Sequence, residues 1–399
     1  MTTAVSYPFG EPARLDPEPE FATLRAERPV SRVRLPFGEE AWLATRYEDV
    51  RTVLGDPRFS RAAATGRDEP RLRPAAVGVP GNIMALDPPD HTRLRRLVMK
   101  AFTVRRVERL RVRAQEIADE LVDAMVARGH AELVEDFAVP LPTTVICELL
   151  GVPVADRDDF RVWSDAFLST TRYTPDEVRE HVASLSRYMA GLIARRRESP
   201  TDDLIGALVV ARDEEDRLSE DELLALAMGL LVAGHETTAS QIPNFVHTLL
   251  THPDQLAVLR ADLDLVPRAV EELMRYVPLG LGAGIARYAV EDVELSGVLV
   301  RAGEPVLPVL VSANRDETAF PDADRLDLRR EPRSSHHVGF GHGAHHCLGA
   351  PLARMELQVA LDTLLRRLPG LRFAGEVRWK EGMATRGPAH LPLTWDQPA

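Results

Sequence analysis

The sequence predicts one mainly α-helical domain with small β-sheets, an α+β fold, over residues 1–399. Apolar residues recur at helical spacing almost without interruption over residues 91–255. Short extended segments occur only on either side of that region. No internal repeat or low-complexity linker divides the chain, which favours a single domain.

The first 90 residues predict two strands, one short helix and a long loop. Residues 30–35 and 41–45 are the expected strands, and a Phe-Gly turn signal separates them. Residues 47–54 predict the helix. The loop over residues 57–90 is rich in proline and arginine and too long for a simple connection, so we expect it to act as a lid.

The helical region should contain the longest helix of the chain, over residues 219–250. Such a helix spans about 48 Å at about 1.5 Å per residue. It begins with the capping box Ser219-Glu-Asp-Glu222. Turns are expected earlier in the region at Gly129, Pro140, Gly151, Pro175 and Pro200. Strands are expected after it at residues 284–296, 305–311 and 371–394.

Composition excludes several classes of partner. The net charge of −12 argues against nucleic acid and anionic membranes as partners. Two isolated cysteines predict no disulfide framework and fit a reducing cytosol. The amino terminus lacks the features of a signal peptide, and no apolar run reaches the roughly 20 residues of a membrane helix. We therefore expect a cytoplasmic protein.

Cys347 lies in a glycine-rich loop that continues into a helix beginning near Pro351. Gly341, Gly343 and Gly349 let the backbone approach a flat ligand closely. The helix amino terminus stabilises a thiolate, and a thiolate without a partner cysteine suits an axial position on haem iron.

Two other interpretations of the cysteines were weighed. Cys147, inside an apolar run, is expected to be a small buried hydrophobe. Zinc is an alternative for Cys347 because several histidines are close in sequence, namely His336, His337, His342, His345 and His346. The paired ligands at short fixed spacing that are typical of cysteine zinc sites are missing, which favours haem.

The pattern Phe340-Gly341-x-Gly343-x-His345-x-Cys347-x-Gly349 resembles the haem-binding signature of the cytochrome P450 superfamily. The resemblance covers nearly the whole chain and is strongest to actinobacterial enzymes that tailor polyketides, terpenoids or peptides. It implies the cytochrome P450 fold, with haem b between the long central helix and the Cys-loop helix and with Cys347 on the iron. His346 stands where that branch usually has an aromatic residue.

The segment Ala233-Gly234-His235-Glu236-Thr237-Thr238, in the middle of the long helix, matches the family's oxygen-activation motif. Glycine inside a helix costs about 1 kcal/mol relative to alanine, which suggests a special role. The resemblance implies that Ala233 and Gly234 leave room for O2, that Thr237 offers its hydroxyl, and that Glu236 relays protons for O–O cleavage. The alternative is that Thr237 only donates to a carbonyl one turn earlier.

Other charged residues match supporting positions of the family. Glu272 and Arg275, at i and i+3, resemble its Glu-x-x-Arg pair, and Arg325 matches the third partner although Leu326 replaces the usual aromatic. The resemblance assigns four cations to the haem propionates: His91, Arg95, Arg287 and His345. An alternative for each is an ordinary surface cation.

Electrons should reach the haem from NAD(P)H through a reductase and a small ferredoxin, since no redox domain is fused to the chain. Arg93, Arg96 and Lys100 form a basic helix face that could guide an acidic carrier, although most such faces are merely solvated. We expect a monomer.

The substrate site is predicted only in outline. The resemblance places it among residues 57–90, 163–181, the central helix and residues 279–286. The last of these segments is poor in large side chains, which either leaves space near the iron or serves turn geometry. Arg67, Arg71 and Arg73 could attract an acidic substrate, although exposed loop arginines need no such role.

Three functions are compatible with these features. The first is a monooxygenase that hydroxylates or epoxidises an apolar secondary metabolite with O2 and two electrons. The second is an oxidase of the same fold that couples aromatic or diketopiperazine units without inserting oxygen. The third, from a different class, is a non-catalytic haem sensor. The Glu236-Thr237 pair favours the first, because oxygen insertion needs delivered protons.

Overall fold

The computed structural model describes residues 4–10, 14–74, 79, 81–99, 102, 104–213, 217–331 and 336–396. Contacts divide the chain into two compact units, each built from separate segments. Unit 1 comprises Met1–Ala76, Met84–Thr92 and Glu271–Cys347, and unit 2 comprises Val77–Ile83, Arg93–Val270 and Leu348–Ala399. The single domain over residues 1–399 stays a prediction.

The described residues of unit 1 form a mixed sheet and three helices. The spatial order of its strands is β1 (Val5–Ser6), β2 (Val30–Arg34), β3 (Ala41–Ala44), β9 (Pro305–Pro308), β6 (Arg287–Ala289) and β4 (Phe59–Ser60). The pairs β1–β2 and β3–β9 are parallel and the other pairs are antiparallel. The unit also contains the hairpin β7 (Val293–Leu295) and β8 (Val298–Val300) and the helices α1 (Glu20–Glu27), α2 (Tyr47–Gly55) and α12 (Leu310–Ala313).

Apolar side chains fix α2 in unit 1. Tyr47, Val50 and Val53 of this helix are buried in one cluster with Val306 of β9 and Phe320. Burying each such side chain contributes roughly 1.5–3 kcal/mol. The carboxyl end of α2 is thereby held in place, and the Cys347 loop packs against it as described below.

Unit 2 is largely helical. Its helices are α4 (Val104–Arg128), α5 (Pro140–Leu150), α6 (Arg157–Leu168), α7 (Pro175–Glu198), α8 (Leu204–Asp213), α9 (Glu220–Thr251), α10 (Pro253–Ala261) and α13 (Ala350–Arg367). Helix α9 packs against α5, α7 and α13, and α13 also packs against α4. Two more helices, α3 (Asp90–Met99) and α11 (Val266–Tyr276), each contribute residues to both units.

Five short strands complete unit 2. A three-stranded antiparallel sheet contains β10 (Arg372–Phe373), β13 (Pro392–Thr394) and β5 (His130–Glu132). A separate hairpin joins β11 (Arg378–Trp379) to β12 (Pro388–His390) through residues 380–387.

Helix α9 confirms the predicted long helix and its capping box. The Ser219 hydroxyl accepts from the Glu222 N–H at 3.2 Å, and a Glu222 carboxylate oxygen accepts from the Ser219 N–H at 2.7 Å. The helix satisfies the length and composition of a membrane span, but 67% of its most apolar window is buried inside the fold. It is therefore described here as a core helix.

The predicted strands differ mainly at the carboxy-terminal end. The expected segments at residues 30–35 and 41–45 correspond to β2 and β3. The strand expected over residues 305–311 ends at Pro308, and α12 begins at Leu310. The segment at residues 284–296 divides into β6 and β7, and residues 371–394 divide into β10 to β13. The four strands of the last segment pair in two different sheets, so its residues do not follow one continuous alternation.

Candidate active site

The Cys347 loop is a tight turn whose backbone is fixed by its own hydrogen bonds. The N–H of Cys347 donates to the Phe340 carbonyl at 2.8 Å, and the N–H of Gly341 donates to the Val338 carbonyl at 2.8 Å. Gly343 has a φ of 71°, and a Cβ there would stand 2.7 Å from the Gly55 Cα at the end of α2. Only glycine fits this close approach.

Cys347 itself is exposed, so its sulfur is accessible to a ligand. Gly349, which precedes the first residue of α13, leaves open space where a side chain would begin, and a Cβ on Gly341, whose φ is 73°, would only touch the His345 carbonyl oxygen at 3.8 Å. Among the residues that the structure describes, no three His, Cys, Asp or Glu side chains are arranged to hold a metal ion. Cys147 is buried, as predicted, and burial raises the pKa of its thiol to about 12.

Three of the four predicted propionate ligands lie in unit 1, namely His91, Arg287 and His345. His91 on α3 and His345 in the Cys347 loop have ring centroids 4.2 Å apart, and Arg287 on β6 is close enough to affect the charge of His345. Burial, together with the charges of Arg287 and His91, lowers the pKa of His345 to about 3. Burial also lowers the pKa of Arg287 to about 10, with Arg61 contributing. Arg95 lies one turn after His91 on α3.

This cluster fits an anionic ligand. Both ring nitrogens of the half-buried His345 side chain are shielded from solvent, and neither has a hydrogen-bond partner among the described residues. The guanidinium of Arg287, 5% exposed as a residue, donates only a long bond of 3.4 Å to the Ile285 carbonyl within the described part of the chain. Buried polar groups are normally hydrogen-bonded, and cations without ion partners are costly. Carboxylates such as haem propionates would satisfy both residues, so the residues present fit haem.

Glu272 and Arg275 form a fully buried ion pair, as predicted. Two bonds of 2.8 Å join the guanidinium to the two carboxylate oxygens. The remaining donors of Arg275 reach backbone carbonyls of Asn314, Ala323 and Arg325. The pair therefore connects α11 to the segment that precedes the Cys347 loop.

The prediction of Arg325 as the third side-chain partner was wrong. The guanidinium that contacts Glu272 belongs to Arg330, whose Nε lies 3.1 and 3.0 Å from the two carboxylate oxygens. The side chain of Arg325 is exposed and pairs with Asp327, while its carbonyl accepts from Arg275 and Arg330. Arg325 thus contributes through its backbone. Leu326, the departure noted in the sequence, is buried.

The oxygen-activation motif lies in the middle of α9. The Thr237 hydroxyl donates to the Ala233 carbonyl at 2.9 Å, which is the alternative that the sequence left open. Ala233 is exposed in the described structure and Thr237 is half-buried, so both remain accessible to small molecules. The bond keeps the hydroxyl oxygen available as an acceptor.

The cause of the glycine at position 234 is packing. A Cβ on Gly234 would stand 2.6 Å from Cγ1 of Ile146, a buried residue of α5. The missing side chain therefore allows α5 and α9 to approach each other. That it also leaves room for O2 stays a prediction.

Glu236 is buried in unit 2 and paired with a residue that the sequence did not single out. The ammonium of Lys380 donates to Oε1 of Glu236 at 2.6 Å and to the Ser240 hydroxyl at 2.9 Å. The Ser240 hydroxyl donates to the same Oε1 at 3.3 Å. The composition held a signal for this contact, because Lys380 is one of two lysines among 49 basic residues.

Further acids lie near this pair or along α9. Asp165 on α6 has a raised pKa, caused first by burial and then by the charge of Glu236. Glu356 on α13 is fully buried, and burial raises the pKa of its carboxyl well above the ordinary value. Neither acid was predicted from the sequence, since no motif marks them.

The predicted basic face and the loop arginines are partly neutralised within the chain. Arg93 pairs with Glu222 at 2.6 Å, Arg96 is exposed, and Lys100 lies outside the described residues. Arg67 pairs with Glu39 and Arg71 pairs with Asp68, whereas burial lowers the pKa of Arg73. Two of the three loop arginines are therefore already paired with acids of the same chain.

The glycine-rich segment at residues 279–286 is shaped by backbone geometry at Gly282. Its φ is 101°, and a Cβ there would stand 3.3 Å from the Phe21 ring. The Tyr7 hydroxyl donates to the Leu281 carbonyl and accepts from the Ala283 N–H, both at 2.9 Å. This favours the turn interpretation for Gly282.

Comparison with known proteins identifies the relatives of this chain. Residues 158–369 match the family model described as Cytochrome P450. The chain is 58% identical to a mycinamicin IV hydroxylase/epoxidase of Micromonospora griseorubida, over 99% of this chain and all of the relative. It is 52% identical to a nocardicin C N-oxygenase of Nocardia uniformis subsp. tsuyamanensis, over 99% of each.

A solved structure agrees with these relatives. The crystal structure of cytochrome P450mel 107F1, described as having biaryl coupling reactivity, superposes with a TM-score of 0.94 at 46% identity. The match covers 98% of this chain and all of that chain. Similar proteins therefore carry out hydroxylation, epoxidation, N-oxygenation and biaryl coupling.

Proposed function

This chain belongs to the cytochrome P450 family and is a monooxygenase, and we propose that it hydroxylates or epoxidises an apolar secondary metabolite such as a macrolide, terpenoid or peptide. The balanced reaction consumes O2, two electrons and two protons, inserts one oxygen atom into the substrate and releases water. The macrolide class has the strongest support, because the relative at 58% identity is named for a mycinamicin.

We assign haem b to the Cys347 loop. Cys347 would hold the iron as a thiolate, and His91, Arg95, Arg287 and His345 would hold the propionates. When bound, haem supplies the iron at which O2 is activated by two electrons. The observation that carries this assignment is the cluster of His91, Arg287 and His345, in which His345 is separated from Cys347 by only one residue and neither of its ring nitrogens has a hydrogen-bond partner among the described residues.

Residues of α9 are assigned to proton delivery. Glu236 would take protons from water and pass them toward the Thr237 hydroxyl, which both accepts and donates hydrogen bonds. Ala233 and Gly234 would border the space for O2. The position of this buried side chain supports the role, since its Oε1 is held by the Lys380 ammonium and Oε2 accepts no hydrogen bond within the described residues.

The proposal extends to the electron route, the state of assembly and the location of the protein. We propose that a ferredoxin, reduced by NAD(P)H through a reductase, docks by charge at the exposed Arg96 and its neighbours. Reduction rates that do not change between low and high salt would contradict this docking. We also propose a monomer in the cytoplasm.

The first experiment tests haem ligation. The purified protein, reduced under carbon monoxide, should give the difference spectrum of thiolate-ligated haem, and Cys347→Ala should abolish it. Stoichiometric zinc without a Soret band would contradict the assignment. A spectral-shift screen of macrolides, terpenoids and peptides, followed by product analysis with a surrogate ferredoxin and reductase, then identifies the substrate.

A coupling oxidase is the second candidate, favoured by the related structure with biaryl coupling reactivity. Labelled O2 separates the two functions. A monooxygenase transfers one labelled atom to the product, whereas a coupling oxidase joins two aromatic units and leaves all label in water.

A further inference from the structure

The pair of Glu236 and Lys380 brings together the middle of α9 and the loop of the β11–β12 hairpin. Lys380 is 14% exposed and Glu236 is 5% exposed at their side chains, so the contact is largely shielded from water. Ser240, one turn after Glu236, joins them by bonding to both. All the hydrogen bonds that Glu236 accepts within the described residues reach Oε1.

Lys380 is held in place by its own backbone. Its N–H donates to the Gly387 carbonyl at 2.9 Å, across the hairpin loop. The Gly382 carbonyl in the same loop accepts from the N–H groups of residues 170–172, in the connection between α6 and α7. The N–H of Ala384 donates to the Leu168 carbonyl at 2.8 Å. These bonds fix the backbone from which the Lys380 side chain extends to Glu236.

The other acids near Lys380 have cationic partners of their own. Asp165 lies 3.6 Å from the guanidinium of Arg172, and Glu135 pairs with Arg161. His235, beside Glu236 in sequence, is buried and donates through Nδ1 to the Leu231 carbonyl at 2.7 Å, and burial lowers its pKa. Lys380 is thus the cation closest to Glu236 among the described residues.

We propose that Lys380 is a positioning residue for oxygen activation, which fixes Oε1 of Glu236 and leaves Oε2 to exchange the proton. This inference rests on the proposed role of Glu236. In each transfer the carboxylate takes a proton from water, passes it on and returns to the carboxylate, while Lys380 keeps its three protons. The electrons and O2 are those of the monooxygenase reaction.

A lysine suits this role better than the arginines that dominate the chain. An ammonium is a compact charge that bonds one oxygen, whereas a guanidinium tends to bind both oxygens of a carboxylate. Arg275 does bind both oxygens of Glu272 in this protein. Lysine at position 380 therefore leaves one oxygen of Glu236 without that constraint.

The first test reads the ion pair without reference to activity. The holoenzyme is labelled with ¹⁵N at lysine Nζ and studied as its ferrous carbon monoxide complex, which is diamagnetic. Because the chain has two lysines, two ammonium signals are expected, and Lys100→Arg assigns them. The Lys380 signal should be protected from water exchange and should lose this protection in Glu236→Gln. A Lys380 signal with the exchange of free lysine would overturn the proposal.

The second test measures where electrons go. With mycinamicin IV as the probe ligand, the fraction of NADH electrons recovered as hydrogen peroxide is compared among variants. Lys380→Met should raise this fraction by about threefold or more and enlarge the solvent isotope effect, because proton delivery becomes slower. Lys380→Arg should restore part of the loss. Arg378→Met, which removes an exposed cation of the same hairpin, is the matched control and should change neither value.

Two results would overturn the inference in different ways. If Glu236→Gln raises the peroxide fraction while Lys380→Met behaves like Arg378→Met, Lys380 does not position the carboxylate and the role of Glu236 stands. If Glu236→Gln also leaves the peroxide fraction unchanged, the assignment of Glu236 to proton delivery fails, and the role of Lys380 fails with it.

Discussion

Two buried carboxylates in this chain face a cation, and they differ in how fully they are bonded. Both oxygens of Glu272 are engaged by Arg275 and Arg330, and Oε1 also accepts from the Asp327 N–H. Glu236 has bonds only at Oε1 within the described residues. A carboxylate with every acceptor position used can only hold structure, whereas one with a spare oxygen can also exchange a proton.

The difference begins with the identity and origin of the cation. Arg275 stands three residues after Glu272 on α11, so helix geometry brings the two together and the planar guanidinium meets both oxygens. Lys380 reaches Glu236 from a hairpin loop far away in sequence. The first pair can be predicted from local spacing, and the second depends on tertiary packing.

Breaking the fully bonded pair of Glu272 and Arg275 should have the largest effect. Glu272→Ala leaves Arg275 buried without its ion partner, which costs about 3–5 kcal/mol for pairs of this kind. We expect a protein that does not incorporate haem, measured as the ratio of Soret absorbance to protein. Glu271→Ala, which removes the adjacent and more exposed carboxylate, should keep full haem content. Full haem content in Glu272→Ala would show that the pair is not needed.

The next effect separates the two arginines of the same segment. Arg330→Met removes an Nε–H that is shared between the two oxygens of a buried carboxylate, a charge-assisted hydrogen bond of a kind that contributes about 1.5–3 kcal/mol. Arg325→Met removes only an exposed side chain, because its carbonyl makes the buried contacts. We expect a lower melting temperature and easier haem loss in Arg330→Met alone. Equal melting temperatures for the two variants would restore Arg325 as the third partner.

Changes in the oxygen-activation motif of α9 should spare the fold and alter the chemistry. Thr237→Ala removes a hydroxyl whose carbonyl bond is local to one turn of α9, so haem content and ligand binding should stay normal. The peroxide fraction should rise several-fold, because proton delivery slows when a positioned proton-transfer group is lost. Thr237→Ser keeps the hydroxyl and should stay close to the wild type. Unchanged coupling in Thr237→Ala would remove this residue from the mechanism.

The same contrast between local spacing and tertiary packing decides which features can be predicted from the sequence. The family membership, the secondary structure of residues 30–55 and 219–251, and the pair of Glu272 and Arg275 all follow from local patterns, such as a capping box or an i, i+3 spacing. Arg330 was missed because its role depends on which of several nearby arginines turns inward. Lys380 was missed because no local pattern connects it to Glu236.

Glycines show a further limit of sequence reasoning. The sequence predicts that Gly234 leaves space for O2, and the structure adds that its missing side chain also accommodates Ile146 of α5. A glycine in a helix signals that something lies close, but the neighbour is set by helix packing. The sequence identified the special position and could not supply its physical cause.

The smallest effect expected is a change in pH dependence at Asp165. Burial, followed by the charge of Glu236, raises the pKa of Asp165 above its ordinary value of 3.8, so the folded protein holds this proton to a higher pH than the unfolded chain. Stability is therefore lost as the pH rises through the interval between the two pKa values. Asp165→Asn removes the ionisation. The melting temperature of this variant should therefore rise relative to that of the wild type as the pH increases to 8.

Thermal unfolding across the pH range in which haem is retained checks this expectation. Asp159→Asn, which changes an exposed acid on the same helix, should show a difference from the wild type that does not vary with pH. A difference for Asp165→Asn that is equally constant would mean that Arg172 keeps Asp165 ionised at every pH tested. The second acid would then be a permanent negative charge beside Glu236 that Arg172 balances, and the Lys380 ammonium would serve Glu236 alone.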